Sequence, residues 1–466
     1  MNREKTLIKK TVVFAIGNFG SKVLAYVMVL VYSNFIRPDD MGYYDLILAT
    51  VALLQPLIIF QINDGVYRYL IGGENENRQK ILSTGFQFLC LTTSAAGLCF
   101  IALVWVYHLE YAGWIGLYFA SMMFFTYLQD TVRGLGESKV YAFCGILNSL
   151  IMLICQVIGL MVLGLGVIAL LISMIIANVA CIVFLFVWIK QLRGVLKYGL
   201  DKVVAKKLLR YSAPLVPNAI SWWVVNSCDR YIILFYLGME FNGIYSMANK
   251  FPTILTTITS IFYLAWQESA IKEYKTSNRN EFFSNIFHRY YVLLFSLCMC
   301  AIPATKLVIE LFVATEYKSA WLYTGFLFMG AMFSALCSFL GLGYQISKET
   351  KRSLATTILA ALLNVAINIA LIRFIGLQAA SFSTFAAYQF LFIIRLKHTK
   401  RYFTLAVNWK EFILLGGLCL VLIGITMLFD SLILCIFLCM VCIIYAVWLN
   451  CALIYPLIKR LRRYSA

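Results

Sequence analysis

Charge is what this chain has least of. Only 13% of its 466 residues are Asp, Glu, Lys or Arg, against roughly 25% in an ordinary soluble domain. Acidic residues are the scarcer kind, 21 against 39 Lys and Arg, which leaves a formal net charge of +18. Histidine occurs three times (His108, His288 and His398), at the ends of apolar runs or in loops, and proline seven times. Each scarcity excludes something. So few charges cannot keep the surface of a soluble protein of this size hydrated. Three scattered histidines and no His–Cys cluster leave no metal site to expect. No acid, base and nucleophile grouping stands out, there is no long external loop to carry one, and no cofactor is expected.

What is abundant is apolar. Hydrophobic residues make up 62% of the chain and the mean hydropathy is +0.84, so the solvent for most of the chain is lipid. The 14 cysteines lie in or at the edges of apolar runs, as Cys90, Cys155, Cys298 and Cys300 do, where a thiol acts as a small apolar side chain. Runs of about 20 apolar residues indicate helices, because a membrane β-barrel shows alternating segments of about 10. The expected fold is an all-α integral membrane protein with about fourteen transmembrane helices, near 11–36, 42–66, 80–107, 112–132, 140–163, 166–189, 211–237, 243–267, 286–313, 319–345, 353–373, 375–395, 408–429 and 431–456. The basic start "MNREKTLIKK" precedes an apolar run that continues past Val31 with no small-residue cleavage site, which reads as an uncleaved first span.

Placing the N-terminus inside sorts the cations by side. Of the 39 Lys and Arg, 32 fall on the inner side, three (Arg37, Lys318 and Arg373) outside, and four (Lys22, Arg230, Lys250 and Lys306) within spans. One missed span would invert this bias downstream, so an even number of spans with both termini cytoplasmic follows from the positive-inside rule. Anionic lipid and insertion account for the net positive charge, and no nucleic-acid partner is needed.

The sequence also repeats. Gly42-x-Tyr44 and Gly243-x-Tyr245 lie 201 residues apart after outer turns, and Gly134-Leu135-Gly136 and Gly341-Leu342-Gly343 lie 207 apart at inner turns. A repeat of six spans makes two parallel halves. The expected organisation is an N-lobe (1–189), an amphipathic cytoplasmic linker helix (190–210), a C-lobe (211–400) and a two-helix appendix (401–466).

An ionisable residue within a span is a functional candidate. Lys22 falls near the midplane, and Asp229 and Lys250 fall about 13 and 10 Å below one outer turn, counting 1.5 Å per residue. Similar depth on a hairpin makes Asp229 and Lys250 a candidate pair. Asp229 and Arg230 project about 100° apart on a helix and do not face each other, so Arg230 needs another anion. Three deep cations against one deep carboxylate suit an anionic ligand. Lys306 and Glu310 read as an i,i+4 pair near an outer helix end. Asp64 with Arg68, and Asp130 with Arg133, are candidates for an inner mouth. Arg37 is a candidate for substrate contact outside. Asn18, Asn226, Asn364, Asn368 and Trp222 are candidate glycan contacts, with interhelical hydrogen bonding the alternative role for such amides.

The segment "LLRYSAPLVPNAISWWVVNSCDRYIILFYLGMEFNGIYSMANKF", with "FIRPDDMGYYDL" and "AWQESAIKEY", resembles polysaccharide flippases of the multidrug/oligosaccharidyl-lipid/polysaccharide exporter superfamily over essentially the whole chain. The resemblance implies two six-helix lobes around a central cavity, plus two C-terminal helices, in a bacterial plasma membrane. It implies a cargo of oligosaccharide on polyprenyl pyrophosphate, flipped from the cytoplasmic to the outer leaflet by alternating access, with no bond broken. Glycan polymerases and glycosyltransferases are the implied partners. Lys22, in "GSKVLAYV", sits where related flippases place a first-helix cation for the pyrophosphate, with Arg230, Lys250 and Arg37 as further candidates. Asp229 is the candidate for coupling to H+ or Na+. A drug/cation antiporter of the same superfamily, a membrane polysaccharide polymerase or ligase, and a scaffold for glycan enzymes remain as alternatives. The surplus of cations disfavours the first, and the short outer loops disfavour the second.

On this reading, Lys22→Ala or Arg230→Ala abolishes surface polysaccharide while the protein stays in the membrane. Immunodetection of surface glycan alongside membrane fractions measures both, and normal export in both variants rules out their pyrophosphate role.

Overall fold

A computed structural model describes residues 28–29, 31–71, 78–108, 110–274, 276–347 and 349–451. Among these residues all regular secondary structure is helical. That is the form a chain takes when lipid offers its backbone no hydrogen bonds and no barrel closes. The chain divides into two compact units, Met1–Trp223 and Val224–Ala466.

In the first unit the helices run α1 (Pro38–Ile59), α2 (Ile62–Ile71), α3 (Arg78–Tyr107), α4 (Ala112–Gly134), α5 (Ser138–Val157), α6 (Val167–Trp188) and α7 (Lys202–Ser212). Pro38 starts α1 where its missing N–H is no loss, and Asp39 and Asp40 follow in the same first turn, facing the positive end of the helix dipole. The run expected at 42–66 is broken, because Phe60 and Gln61 both take the left-handed conformation (φ 50° and 53°) and α2 restarts at Ile62. The amide of Asn148 on α5 donates to Asn178 Oδ1 on α6 at 3.1 Å, and Asn178 Nδ2 donates to Ser121 Oγ on α4 at 3.3 Å. These bonds are the interhelical links that buried amides provide in lipid.

The chain enters the second unit through α8 (Val216–Ser227). It continues with α9 (Asp229–Tyr236), α10 (Met239–Lys250), α11 (Pro252–Glu273), α12 (Arg279–Phe312), α13 (Trp321–Ile346), α14 (Thr350–Ile375), α15 (Gln378–Thr399), α16 (Trp409–Leu428) and α17 (Leu432–Leu449). Ten helices among the described residues are long and apolar enough to cross a membrane, fewer than the fourteen runs read from sequence. The difference has local causes. Most of run 11–36 lies outside the described residues. Helix α4 is continuous over 23 residues but carries Ser121, Thr126, Gln129, Asp130 and Thr131. The runs at 211–237 and 243–267 are each broken, at Cys228 and at Phe251–Pro252. Beyond the second break, α11 is rich in hydroxyls: Thr256 and Thr257 return theirs to the Thr253 carbonyl, Thr259 to Thr256, and Ser260 to Thr257. Proline at 252 fits there because it stands at a helix start.

The appended helices α16 and α17 fasten to α12 at both ends. At one end His288 Nε2 and the Tyr291 hydroxyl meet Glu411 Oε2 at 2.7 and 3.0 Å. At the other end the reading of Lys306 is corrected. Its ammonium is 1% exposed and pairs with Asp430 at 3.0 Å, while Glu310 pairs with Lys318 at 3.2 Å. Lys306 also donates to the carbonyls of Thr426 and Phe429, each at 3.2 Å, and lies 3.8 Å from the Trp321 ring centroid. A cation at the last carbonyls of α16 complements the negative end of its dipole, which a neighbour on its own helix cannot supply. Arg395, counted with the inner loops, is 2% exposed and donates to the Cys337 carbonyl at 2.8 Å and to Thr357 Oγ1 at 3.1 Å. All fourteen cysteines are free thiols, including Cys439 and Cys442, which stand one turn apart on α17.

Close packing of α2, α3 and α4 is testable at a glycine. A β-carbon at Gly85 would sit 2.5 Å from the Tyr127 hydroxyl and 2.6 Å from Val66 Cγ2, whereas one at Gly97 on the same helix meets nothing within 4 Å. Gly85→Ala is expected to destabilise the protein by about 1–3 kcal/mol through overpacking, and Gly97→Ala to be neutral or stabilising through its helix preference. Thermal unfolding of the two variants in detergent measures the contrast, and equal midpoints contradict it.

Candidate functional site

A local irregularity in the run at 211–237 falls just before its buried carboxylate. Helix α8 ends at Ser227, Cys228 turns, and Asp229 opens α9. Cys228 still reaches back to the Val224 carbonyl at 3.3 Å, and its own carbonyl accepts from the N–H groups of Tyr231 and Ile232 at 3.1 and 3.3 Å. The interruption therefore leaves no large gap in backbone bonding. Cys228 keeps right-handed helical dihedrals (φ −65°, ψ −23°), so α8 runs into α9 with only a local irregularity just before Asp229.

Asp229 is 1% exposed. Its Oδ2 accepts from the Tyr245 hydroxyl on α10 and the Thr384 hydroxyl on α15, both at 2.9 Å, and its Oδ1 accepts from Asn368 Nδ2 on α14 at 2.9 Å. With the Asn364 amide turned so that nitrogen faces the carboxylate, Asn364 donates to Oδ1 at 3.2 Å and accepts from the Thr384 N–H at 3.3 Å. Asn364 and Asn368 stand one turn apart on one face of α14. Four neutral donors thus surround one acid, each bond to a charged acceptor contributing about 1.5–3 kcal/mol. Asn368 Oδ1 has no hydrogen-bond partner.

Lys250 is not among the groups that hold this carboxylate, so the candidate pairing from similar depth gives way to neutral donors. Lys250 is half-buried at the end of α10, and its carbonyl accepts from Thr253 Oγ1 across the break before α11. Asn364 and Asn368, read as candidate glycan contacts, are both 0% exposed and turn their amides to Asp229. Arg230 faces elsewhere, as helical geometry requires: its Nη1 donates to the Asn226 carbonyl one turn back at 2.7 Å. Asn226 is exposed, and its side-chain oxygen accepts from the Tyr388 hydroxyl at 2.6 Å. Trp222 is half-buried on α8.

In the first unit, Asn63 Nδ2 donates to Asp130 Oδ2 at 2.7 Å. Asp64 lies within electrostatic reach of Asp130 and Arg133, and the Arg133 guanidinium stands 4.9 Å from the Tyr67 ring centroid. The structure therefore gathers Asp64, Asp130 and Arg133, while Arg68 is exposed one turn further on. Arg37 is exposed beside Asp39, 3.9 Å away. Lys22 and Asn18 lie outside the described residues. No group of three or more His, Cys, Asp or Glu able to hold a metal occurs among the described residues.

Sequence reasoning missed three things here. Tyr245 was visible only as a repeat marker, and Thr384 is one hydroxyl among many, with no signal of its own. Asp45, seven residues into α1, is a second buried carboxylate at 5% exposure; its place just past an outer turn concealed its burial.

Comparison with known proteins follows this geometry. A family profile described as polysaccharide biosynthesis protein matches residues 7–267, and no protein of curated function matches by sequence. Among solved structures, "Lipid II flippase MurJ, inward closed conformation" aligns with a TM-score of 0.69 at 14% identity, over 95% of this chain and 100% of its own. A Vibrio cholerae MATE transporter aligns at 0.61 and 12% identity, over 86% and 99%. An inward-facing multidrug resistance MATE family transporter of the MOP superfamily aligns at 0.56 and 14%, over 84% and 95%. At such identities these likenesses establish the fold.

The donor shell gives a graded expectation. Asp229→Ala leaves the Tyr245, Thr384 and Asn368 donors buried without an acceptor, at about 1–3 kcal/mol each, so its thermal midpoint in detergent falls well below that of Asp229→Asn, which keeps an acceptor oxygen. Equal midpoints for the two variants contradict the assigned bonds.

Proposed function

The chain belongs to the polysaccharide biosynthesis protein family, and from that membership we propose that it flips an oligosaccharide linked to polyprenyl pyrophosphate from the cytoplasmic to the outer leaflet of a bacterial plasma membrane. The basic bias of the loops supports cytoplasmic termini. The polyprenyl chain stays in hydrocarbon throughout, and only the sugar and pyrophosphate need a polar path. Without that path the head would have to shed its hydrogen bonds to water in lipid, at several kcal/mol per polar group. Alternating access supplies the path, and no covalent step is needed.

The observation that carries this reading is the closure of Asp229. A cationic drug needs a carboxylate it can reach, and this one is 1% exposed and covered by neutral donors. Lys22 and Arg230, the cations that the sequence sets within spans, suit a pyrophosphate, whose oxygens take charge-assisted hydrogen bonds.

Asp229 is then the place for a small coupling ion. A bare Na+ takes oxygen ligands of the kind found here, and a proton neutralises the acid directly. The oxygen of Asn368 that lacks a hydrogen-bond partner is a ready additional ligand for Na+.

Cells lacking the protein are expected to lose surface glycan and accumulate the lipid-linked oligosaccharide. Asp229→Asn is expected to leave the protein in the membrane and remove the response of export to Na+ or pH. Lipid extraction with surface-glycan detection checks both, and undiminished export in the deletion strain contradicts the proposal.

A further inference from the structure

The segment between α6 and α7 is not absorbed by transport. Residues 190–210 hold seven cations and one acid, Asp201. The sequence predicts one amphipathic helix there, but the structure has a 3-10 turn at Lys190–Gly194, an irregular stretch, and then α7 from Lys202. A polar row on α3 accounts for the irregular part. Gln79 Nε2 donates to the Gln191 carbonyl at 3.1 Å, Ser83 Oγ to the Gly194 carbonyl at 3.4 Å, and Gln87 Nε2 to the Tyr198 carbonyl. Residues four apart share a helix face, so this row grips successive carbonyls that an α-helix would have used itself. Asp201 is also engaged: its Oδ1 caps α7 through the Val203 and Val204 N–H groups, its N–H donates to Thr84 Oγ1, and its Oδ2 lies 3.8 Å from Lys80 Nζ. Gly194 allows the close approach: a β-carbon there would sit 2.5 Å from Gln79 Nε2, and the amide would have to shift.

The strap fixes depth. Helix α3 carries Gln79, Ser83, Thr84 and Gln87 in its first turns, at the start of the run read at 80–107, and from Gln79 to Gln87 it rises about 12 Å. The linker therefore lies beside the last polar turns before hydrocarbon, in the headgroup layer. There it presents Leu196 (73% exposed), Leu200 (38%) and Val203 (78%) among exposed Arg193, Lys197, Lys202 and Lys206. Among the described residues no carboxylate pairs with Lys197, Lys202 or Lys206.

We infer that this linker is a binding surface for anionic phospholipid headgroups: its leucines and valine enter the top of the acyl layer while its cations engage phosphate. Apolar side chains among cations at the hydrocarbon boundary suit a charged lipid surface, whereas an acidic protein partner would leave those apolar groups without lipid. The inference does not depend on the cargo.

Hydrogen exchange of the full-length protein tests it in nanodiscs of phosphatidylcholine alone or with about 30 mol% phosphatidylglycerol, each cation near such a surface favouring the docked state roughly fivefold. Amides of residues 195–206 are expected to exchange on the order of tenfold more slowly in the anionic discs, and high salt to remove the difference. The variant K197Q/K202Q/K206Q is expected to lose the slowing, while a control with Lys351 and Arg352 changed to Gln keeps it. Equal exchange in both discs, slowing that survives in the triple variant, or protection that appears only when soluble protein is added overturns the inference.

Discussion

Everything in this molecule is arranged around one constraint: in hydrocarbon, a polar group finds its partner inside the protein or has none. Asp229 meets it with hydroxyls and amides from three other helices. Lys306 meets it at the carbonyl end of α16, and Arg395 with the Cys337 carbonyl and Thr357. The same demand shapes the backbone. Helical bonding is locally irregular at Cys228 and at Phe251–Pro252, where Cys228 and Phe251, the residues before the next helices, keep right-handed dihedrals, and the linker after α6 leaves helical form where Gln79, Ser83 and Gln87 donate to its carbonyls.

The apolar pattern made most of the fold legible. Run length gave the helices, and their boundaries fall within about four residues of those of the structure from α13 to α16. Fold details that depend on partners distant in sequence were not legible. Lys306 and Glu310 are a plausible pair by spacing, yet each bonds to a residue that spacing does not reveal, Asp430 and Lys318. Depth counting put Asp229 level with Lys250, but depth leaves direction open, and the carboxylate turns to Asn368 and Thr384, some 140 and 155 residues away along the chain. The projection rule for adjacent helical residues separates Asp229 from Arg230, and the two do bond to different groups.

The candidate site also separates two kinds of polar residue that look alike in sequence. Asp229, Asn364, Asn368 and Thr384 form a closed set, suited to hold a small ion or a proton and to make the broken helices rigid. Arg230 and Asn226 are less buried: Arg230 donates to the Asn226 carbonyl, and the Asn226 side chain accepts from the buried Tyr388. Proximity in sequence hides this division, which the proposed function would use, because an ion and a large anionic cargo differ in size, charge and access. The surface of the linker adds a third environment, set by the lipid headgroups.

The central claim is that the cargo is a lipid-linked oligosaccharide. Reconstituting the purified protein in vesicles with a fluorescent polyprenyl-pyrophosphate oligosaccharide, then bleaching with a membrane-impermeant reductant, measures flipping without any cell. The account predicts that bleaching proceeds past the fraction initially in the outer leaflet, to nearly all of the label. Bleaching that stops at that fraction, in vesicles where the same protein moves a cationic dye, contradicts it.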